Sequence, residues 1–258
     1  DGVSASDTFG LEGNNMPTMR QPVSMEAIEA IDINLSNYDV TMAGAAGANV
    51  NAVTKSGTNE FHGSVYGTYR DSDWFGDYPA RIAGSTTDVT GLPFDEYTDE
   101  STWGITLGGP IVKDKLFFFA NYEKFKQTDI GPAGQSQGIN PLDVGGADFN
   151  AADLAEVQRI ARDEWGFEPG SLTGGGDTEL EEYALKLDWN INENHRANLR
   201  YSKIEQTRVR PKASTASVLS LSSNWFNHAK TVESYVGQLF SDWTDTFSTE
   251  FKVSYRDY

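Results

Sequence analysis

The sequence predicts an all-β protein, part of an antiparallel β-barrel that spans a membrane, preceded by a small α+β unit. Two observations support this prediction. From about residue 60 onward, segments of about ten residues alternate apolar and polar side chains, which is the two-residue period of a β-strand. The connections between these segments are alternately short and long, which predicts tight turns at one end of an up-and-down sheet and long loops at the other.

Seven segments show the alternation. They span residues 61–70, 102–111, 116–126, 181–191, 196–208, 231–243 and 248–258. The short connections are 112–115, 192–195 and 245–247, and the long ones are about 71–101, 127–179 and 209–230. Because lipid offers no hydrogen bonds to the backbone, a sheet with an apolar outer face has to close into a barrel. A soluble β-sandwich is the alternative, but it gives no reason for the loop lengths to segregate.

Residues 1–57 have a different pattern. Ser24 is a suitable N-cap for a short helix over residues 25–30, and residues 31–35 are strand-like. A tract of glycine, alanine and asparagine follows at 43–53, where small side chains let backbones approach closely. This segment is therefore expected to be a compact α+β unit and not a linker.

Composition excludes several classes of function. The 258 residues carry 38 acidic and 20 basic side chains, a net charge of -18, and no cysteine. The acidic excess argues against a nucleic-acid partner, and the lack of cysteine excludes disulfides and thiol chemistry. No Ser/His/Asp grouping or phosphate-binding glycine loop stands out, so we expect neither catalysis nor a cofactor. The chain opens without the basic start and apolar stretch of a signal peptide, which suggests a mature product or an internal fragment.

Several motifs resemble TonB-dependent outer-membrane receptors of Gram-negative cells, and most closely their Oar-like branch. The most specific is Val-Thr-Lys-Ser-Gly-Thr-Asn-Glu-Phe-His-Gly at 53–63, supported by Gly-Gly-Pro-Ile-Val-Lys-Asp-Lys-Leu-Phe-Phe-Phe at 108–119 and Leu-Asp-Trp-Asn-Ile-Asn-Glu-Asn-His-Arg at 187–196. Asp-Gly-Val at 1–3 and Tyr-Asp-Val at 38–40 are similar as well. The resemblance covers most of the chain outside the long loops.

The resemblance implies a transporter in which a globular plug fills a barrel of about 22 strands. Residues 1–57 would then be the C-terminal part of the plug, and 58–258 the first seven or so barrel strands. It also implies three partners: outer-membrane lipid, an unidentified extracellular ligand, and the TonB complex of the inner membrane, bound through a segment outside this chain. Seven strands do not close such a barrel, so we expect a fragment of a larger protein.

Three acidic residues in the first long loop are a candidate calcium site. Asp71, Asp73 and Asp77 have the spacing of a calcium loop, with Gly76 at its sixth position. The pattern departs from that loop at its fifth position, Phe75, and at its twelfth, where isoleucine stands instead of a bidentate glutamate. An ordinary acidic loop is the alternative, and the acidic run at 95–100 fits it. His62, His195 and His228 lack metal-ligand spacing and are assigned structural roles.

The second long loop is expected to contain a helix. Asn150 and Asp153 form a capping-box pattern, and Leu154, Val157 and Ala161 give the helix one apolar face. The helix either packs on the base of its own loop or takes part in gating or ligand capture.

Aromatic residues near the strand ends are expected to form the interfacial girdles that anchor a barrel in a bilayer. These residues are Tyr69, Trp103, Tyr122, Trp189 and Trp243. Two further functions stay open. One is a surface adhesin or structural barrel that does not transport, and the other is a soluble carbohydrate-binding module whose aromatic residues line a groove.

Overall fold

The computed structural model describes residues 5–7, 10, 16–34, 49–76, 97–130, 150–172, 174–212 and 218–258. Two antiparallel strands, β1 (Ile28–Asn34) and β2 (Asn49–Thr54), form a small sheet. The large sheet contains β3 (His62–Asp71), β4 (Asp99–Val112), β5 (Leu116–Ile130), β6 (Gly176–Asn190), β7 (His195–Arg210), β8 (Phe226–Thr244) and β9 (Phe247–Asp257). One helix, α1 (Ala151–Trp165), lies between β5 and β6.

The large sheet is a meander in which every strand pairs antiparallel with its neighbour in the chain, in the order β3 to β9. This confirms the antiparallel all-β prediction. Most strands are longer than the sequence suggested, and β8 reaches 19 residues. The connections are correspondingly shorter, at 72–98, 131–175 and 211–225. The prediction ended each strand where the apolar alternation ends, whereas backbone pairing continues among charged side chains.

The tight turns lie at one end of the sheet, at 113–115, 191–194 and 245–246. Asp114 adopts a left-handed conformation with φ of 63°, which aspartate tolerates better than most residues. The Asn59 side chain holds this turn by donating to Asp114 Oδ1 at 2.6 Å and accepting from Asp114 N at 2.8 Å. Gly57 packs directly on β5, because a Cβ there would lie 2.3 Å from the Phe118 carbonyl oxygen. Two residues of the 53–63 motif thus have structural roles.

The helix expected at 25–30 is wrong. Residues Met25–Ala27 form a single 3-10 turn, and Ile28 already begins β1. Ser24 caps this turn as expected, accepting from Glu26 N at 3.3 Å. Pairing of Ile28 with Thr54 on β2 replaces the helical hydrogen bonds, so tertiary context overrides local helix propensity. Of the small-residue tract, 49–53 lies in β2, and 43–48 lies outside the described residues.

The two faces of the large sheet have the reverse of the polarity found in a soluble protein. The apolar face is exposed, as shown by Val65 and Phe251, with 79% and 65% of their surface accessible. The opposite face carries many polar side chains, yet Glu182 and Gln206 on it are only 2% and 1% exposed. An apolar outer face and a covered polar face match a sheet whose outer surface contacts lipid. Within the described residues, α1 is too short and too polar to cross a bilayer as a helix.

Candidate functional site

The polar face of the large sheet is covered by an irregular stretch near the N-terminus. We call residues 16–27 the covering segment. Pro17, Thr18, Ser24 and Ala27 of this segment are almost completely buried. The strands supply side chains to hold it: Lys230 Nζ on β8 donates to the Pro17 carbonyl at 3.4 Å. The polar face and the covering segment together form the candidate functional site.

An apolar cluster anchors the first half of the covering segment. Phe125, Leu180 and Ile204, on three neighbouring strands, pack together beneath Met19. The guanidinium carbon of Arg20 lies 4.2 Å from the centre of the Phe125 ring, a cation–π contact. Further hydrogen bonds hold this half of the segment. Met19 N donates to Gln206 Oε1 at 2.8 Å, and Arg20 Nη1 donates to Thr102 Oγ1 at 3.0 Å.

A buried triangle of oxygen atoms holds the second half. Ser24 Oγ lies 2.7 Å from Glu123 Oε2 and 2.7 Å from Tyr66 Oη, and Tyr66 Oη lies 2.8 Å from Glu123 Oε2. The Ser24 backbone N–H also faces the Glu182 carboxylate. Hydrogen bonds to charged groups contribute about 1.5–3 kcal/mol each when buried. Ser24 therefore attaches the second half of the covering segment to the sheet.

Gly104 makes room for this triangle. A Cβ at residue 104 would lie 2.3 Å from Tyr66 Oη and 2.8 Å from the Tyr122 carbonyl oxygen. Glycine on β4 therefore allows the Tyr66 side chain to cross the strand and reach Glu123 on β5.

We expect Gly104→Ala to displace the Tyr66 hydroxyl from Glu123 and to lower the free energy of unfolding by about 1–3 kcal/mol, the cost of a lost buried hydrogen bond. Urea unfolding of the full-length protein in lipid vesicles measures this. Gly67→Ala is the matched control, because the nearest atom to its Cβ is the Thr102 carbonyl oxygen at 3.4 Å. Equal losses for the two variants would contradict the assigned role of Gly104.

The exposed face carries a belt of aromatic side chains across six strands. Ring centres lie 5.1 Å apart for Trp103 and Tyr122, 5.0 Å for Tyr122 and Tyr183, and 5.0 Å for Tyr201 and Tyr235. Tyr255 extends the belt onto β9. The sequence predicts Trp103 and Tyr122 for the girdles, whereas the four other tyrosines are brought together by strand register alone. Such a belt is typical of a membrane interface.

The aromatic belt is bordered by charges on the loop side and by a second aromatic group on the turn side. On the loop side, Lys124 lies 2.9 Å from Glu181 and 3.2 Å from Glu179. On the turn side, Trp243 contacts the His195 ring at 4.9 Å. Trp189 and Tyr69, also predicted for the girdles, lie on the same exposed face, Trp189 towards the turns and Tyr69 towards the loops. The apolar band between the two aromatic levels is where hydrocarbon would contact the sheet.

The helix of the second long loop begins as predicted. Asn150 Oδ1 accepts from Asp153 N at 3.1 Å, and Asn150 N donates to Asp153 Oδ2 at 2.9 Å, which completes the capping box. The predicted apolar face is only partly correct. Ala161 is buried, whereas Val157 is half exposed. Gln158 instead makes a contact towards the following loop, donating to the Gly170 carbonyl at 2.7 Å.

Two long loops are joined at their bases on the loop side of the sheet. Ser222 N donates to the Ser171 carbonyl at 2.8 Å, and Ser171 N donates to Ser222 Oγ at 3.0 Å. An ion pair of Arg162 with Glu168 continues this junction towards α1 and, with the Gly170 N–H, lowers the pKa of Glu168 below its ordinary value. The helix and the two loops therefore form one connected unit.

Gly170 is required at this junction. Its φ is +76°, and a Cβ there would lie 2.1 Å from Ser222 Oγ. We expect Gly170→Ala to separate the loops and to raise the rate of tryptic cleavage at Arg159 and Arg162 several-fold on intact cells. Gly166→Ala is the control, because φ is +63° there but nothing lies within 4 Å of the Cβ. Similar cleavage rates in both variants would argue against the junction.

The calcium prediction is untested. Asp71 caps a 3-10 turn, Ser72–Trp74, with Oδ1 accepting from Asp73 N at 3.1 Å and Oδ2 accepting from the Tyr69 hydroxyl at 3.0 Å. Asp77 lies outside the described residues. Across the part of the chain that the structure describes, no three acidic or histidine side chains are grouped as metal ligands. His62, His195 and His228 lie on β3, β7 and β8.

The residues of the covered site were not singled out from sequence. Tyr66, Glu123 and Glu182 occupy polar positions of ordinary alternating strands, where nothing distinguishes them from neighbouring polar residues. The signal available for them is the alternation of each strand, which places all three on the polar face of the sheet.

Comparisons with known proteins agree with this architecture. A family model of an outer membrane beta barrel domain matches residues 53–158. The TonB-dependent transporter Oar of Myxococcus xanthus is 28% identical over 206 residues, covering 76% of this chain and 17% of the transporter. The crystal structure of the siderophore receptor PirA from Acinetobacter baumannii superposes with a TM-score of 0.56 and 18% identity, over 92% of this chain and 27% of PirA.

The fold, the exposed apolar face and these matches identify an outer-membrane β-barrel protein. More specifically, the similarity to the Oar transporter confirms the resemblance to TonB-dependent receptors found in the motifs. It spans less than a fifth of the length of the Oar transporter.

Proposed function

We propose that this chain is part of a TonB-dependent transporter that moves a ligand across the outer membrane. In this proposal residues 1–57 are the C-terminal part of the plug, and residues 58–258 are the first strands of a closed barrel of about 22 strands. One observation carries the proposal: the covering segment lies on the polar, inward face of the sheet while the opposite face is apolar and exposed. A plug inside a barrel requires this arrangement.

The contacts of the covering segment suit a part that has to move. They are mostly separate hydrogen bonds to side chains on different strands, together with one small apolar cluster. Each hydrogen bond contributes about 0.5–3 kcal/mol, so the contacts can be broken one after another. The ligand would bind at the long loops and the outer surface of the plug. The TonB complex, driven by the proton-motive force, would then pull on the plug and shift the covering segment.

Thiol labelling of the full-length protein tests this coupling, once any cysteine outside these 258 residues is replaced; the 258 residues themselves contain none. Ala27 is 1% exposed and Met25, two residues earlier, is 60% exposed. We expect a small maleimide to label Ala27→Cys faster in energised cells that contain TonB than in cells without TonB or treated with a protonophore. Met25→Cys is the control and should label equally in all three.

Two outcomes would contradict transport. If the labelling rate of Ala27→Cys were the same with and without TonB and with and without the protonophore, energy coupling of the covering segment would be excluded. Ligand uptake into proteoliposomes that is unaffected by TonB would exclude coupled transport. A surface adhesin is the second candidate, and the exposed Val157 and Trp165 on α1 favour it, since they are available to a binding partner.

A further inference from the structure

Two buried carboxylates face each other beneath the covering segment. Glu123 on β5 and Glu182 on β6 are directly paired across the strands and project from the same face. They are 6% and 2% exposed, respectively. Paired residues on neighbouring strands have their Cβ atoms about 5 Å apart, so two ionised carboxylates here would repel each other with little water to screen them.

The groups that surround the pair come from every packed element. The covering segment supplies Ser24 and Arg20, and β3 supplies Tyr66. Arg200 on β7 and Arg20 both direct positive charge towards Glu182. The Arg20 guanidinium, however, donates to Thr102 and stacks on Phe125, so it is not dedicated to either carboxylate.

The oxygen triangle has more short contacts than hydroxyl protons. Three short contacts, of 2.7, 2.7 and 2.8 Å, join Ser24 Oγ, Tyr66 Oη and Glu123 Oε2. Each hydroxyl has a single proton to donate, so an ionised Glu123 leaves three contacts with two protons. A proton on the carboxyl group supplies the missing donor.

A second group beside the pair also lacks a donor. Asn121 is 5% exposed, and its Oδ1 accepts no hydrogen bond although it is buried. The amide lies against the carboxylates, with Nδ2 3.4 Å from Glu182 Oε1. A half-turn of the amide exchanges its two ends and would bring the acceptor oxygen to Glu182, where a protonated carboxyl could donate to it. This observation is independent of the triangle and gives Glu182 as a second position for a proton of the pair.

We propose that Glu123 and Glu182 together bind one exchangeable proton, and that loss of this proton loosens the covering segment. With the proton bound, the pair carries one negative charge, and the proton serves as a donor either in the triangle, from Glu123, or to Asn121 Oδ1, from Glu182. When the proton leaves as the pH rises, a second buried negative charge appears and Ser24 loses a matched partner. The covering segment is therefore held more tightly at low pH than at high pH. This loosening rests on the proposed function, whereas the bound proton does not.

Infrared spectroscopy of the full-length protein in lipid vesicles tests directly whether the carboxyl pair binds a proton. At neutral pH we expect a carbonyl stretching band of a buried protonated carboxyl that is lost in both Glu123→Gln and Glu182→Gln. Glu181→Gln is the matched control, because Glu181 directly precedes Glu182 on β6 but points to the opposite face. Wild-type protein without the band, or a band that persists in both variants, would overturn the proposal.

The rate at which a maleimide labels Ala27→Cys in purified protein without TonB tests whether the covering segment loosens. Because thiols ionise as the pH rises, the labelling rate of Ala27→Cys is divided by that of Met25→Cys at the same pH. We expect this ratio to rise several-fold as the pH is raised. Glu182→Gln should abolish this rise. If the ratio in the wild-type background did not change with pH, the proposed loosening would be wrong. The two hypotheses fail separately: loss of TonB dependence leaves the infrared band in place, and loss of the band leaves TonB-dependent labelling in place.

Discussion

Replacing Leu239 by arginine is expected to lower the free energy of unfolding by about 2–4 kcal/mol, the cost of a cationic side chain on the lipid face near the bilayer midplane. Leu239 projects from the exposed apolar face of β8, halfway between Tyr235 of the aromatic belt and Trp243 near the turns. It therefore lies near the middle of the apolar band. Chemical unfolding of the full-length protein in lipid vesicles gives the difference.

The adjacent residue provides the control for this prediction. Gln238 precedes Leu239 on β8 and points to the opposite, polar face, where its side chain lies 3.5 Å from Glu250. Gln238→Arg introduces the same charge one residue away but on the polar face, next to a carboxylate. We expect it to cost less than about 1 kcal/mol, as for a charge outside the hydrocarbon. If the two substitutions were equally costly, the exposed face would not be the lipid face.

Replacing Phe125 by alanine is expected to detach the first half of the covering segment. The Phe125 ring is buried, packs with Leu180 and Ile204, and supports both Met19 and the Arg20 guanidinium. Removing a buried ring of this size costs about 3–5 kcal/mol, which exceeds the contribution of any single hydrogen bond of the segment. We expect the Ala27→Cys thiol to become reactive without TonB in this variant.

Phe251→Ala separates this effect from a general loss of aromatic surface. Phe251 lies on β9 and projects from the exposed apolar face, away from the covering segment. Labelling of Ala27→Cys should stay as slow in this variant as in the unaltered background. Protection of the thiol in Phe125→Ala would show that the hydrogen bonds of Ser24 and Met19 are sufficient to hold the segment.

Much of the fold followed from local pattern. The alternation in 181–191 predicted a strand with Glu182 and Leu185 on opposite faces, and β6 has them there. Strand ends were less predictable. Glu179 of β6 lies outside the predicted strand 181–191 and pairs with Lys124 at 3.2 Å, and nothing in a single segment shows that this charged residue still belongs to the sheet. At Ile28 the local helix signal failed because β2, more than 20 residues later, provides a better hydrogen-bonding partner.

The sequence by itself determined the large antiparallel sheet, its phase and the end at which its loops are long, because these depend on a two-residue period and on turn lengths that are local. The covered site was decided only by tertiary structure. Ser24, Tyr66, Glu123 and Glu182 lie on four separate elements, and their meeting depends on strand register and on the path of the covering segment across the sheet. Burial of two carboxylates arises from that path, since each strand alone would leave its glutamate in water.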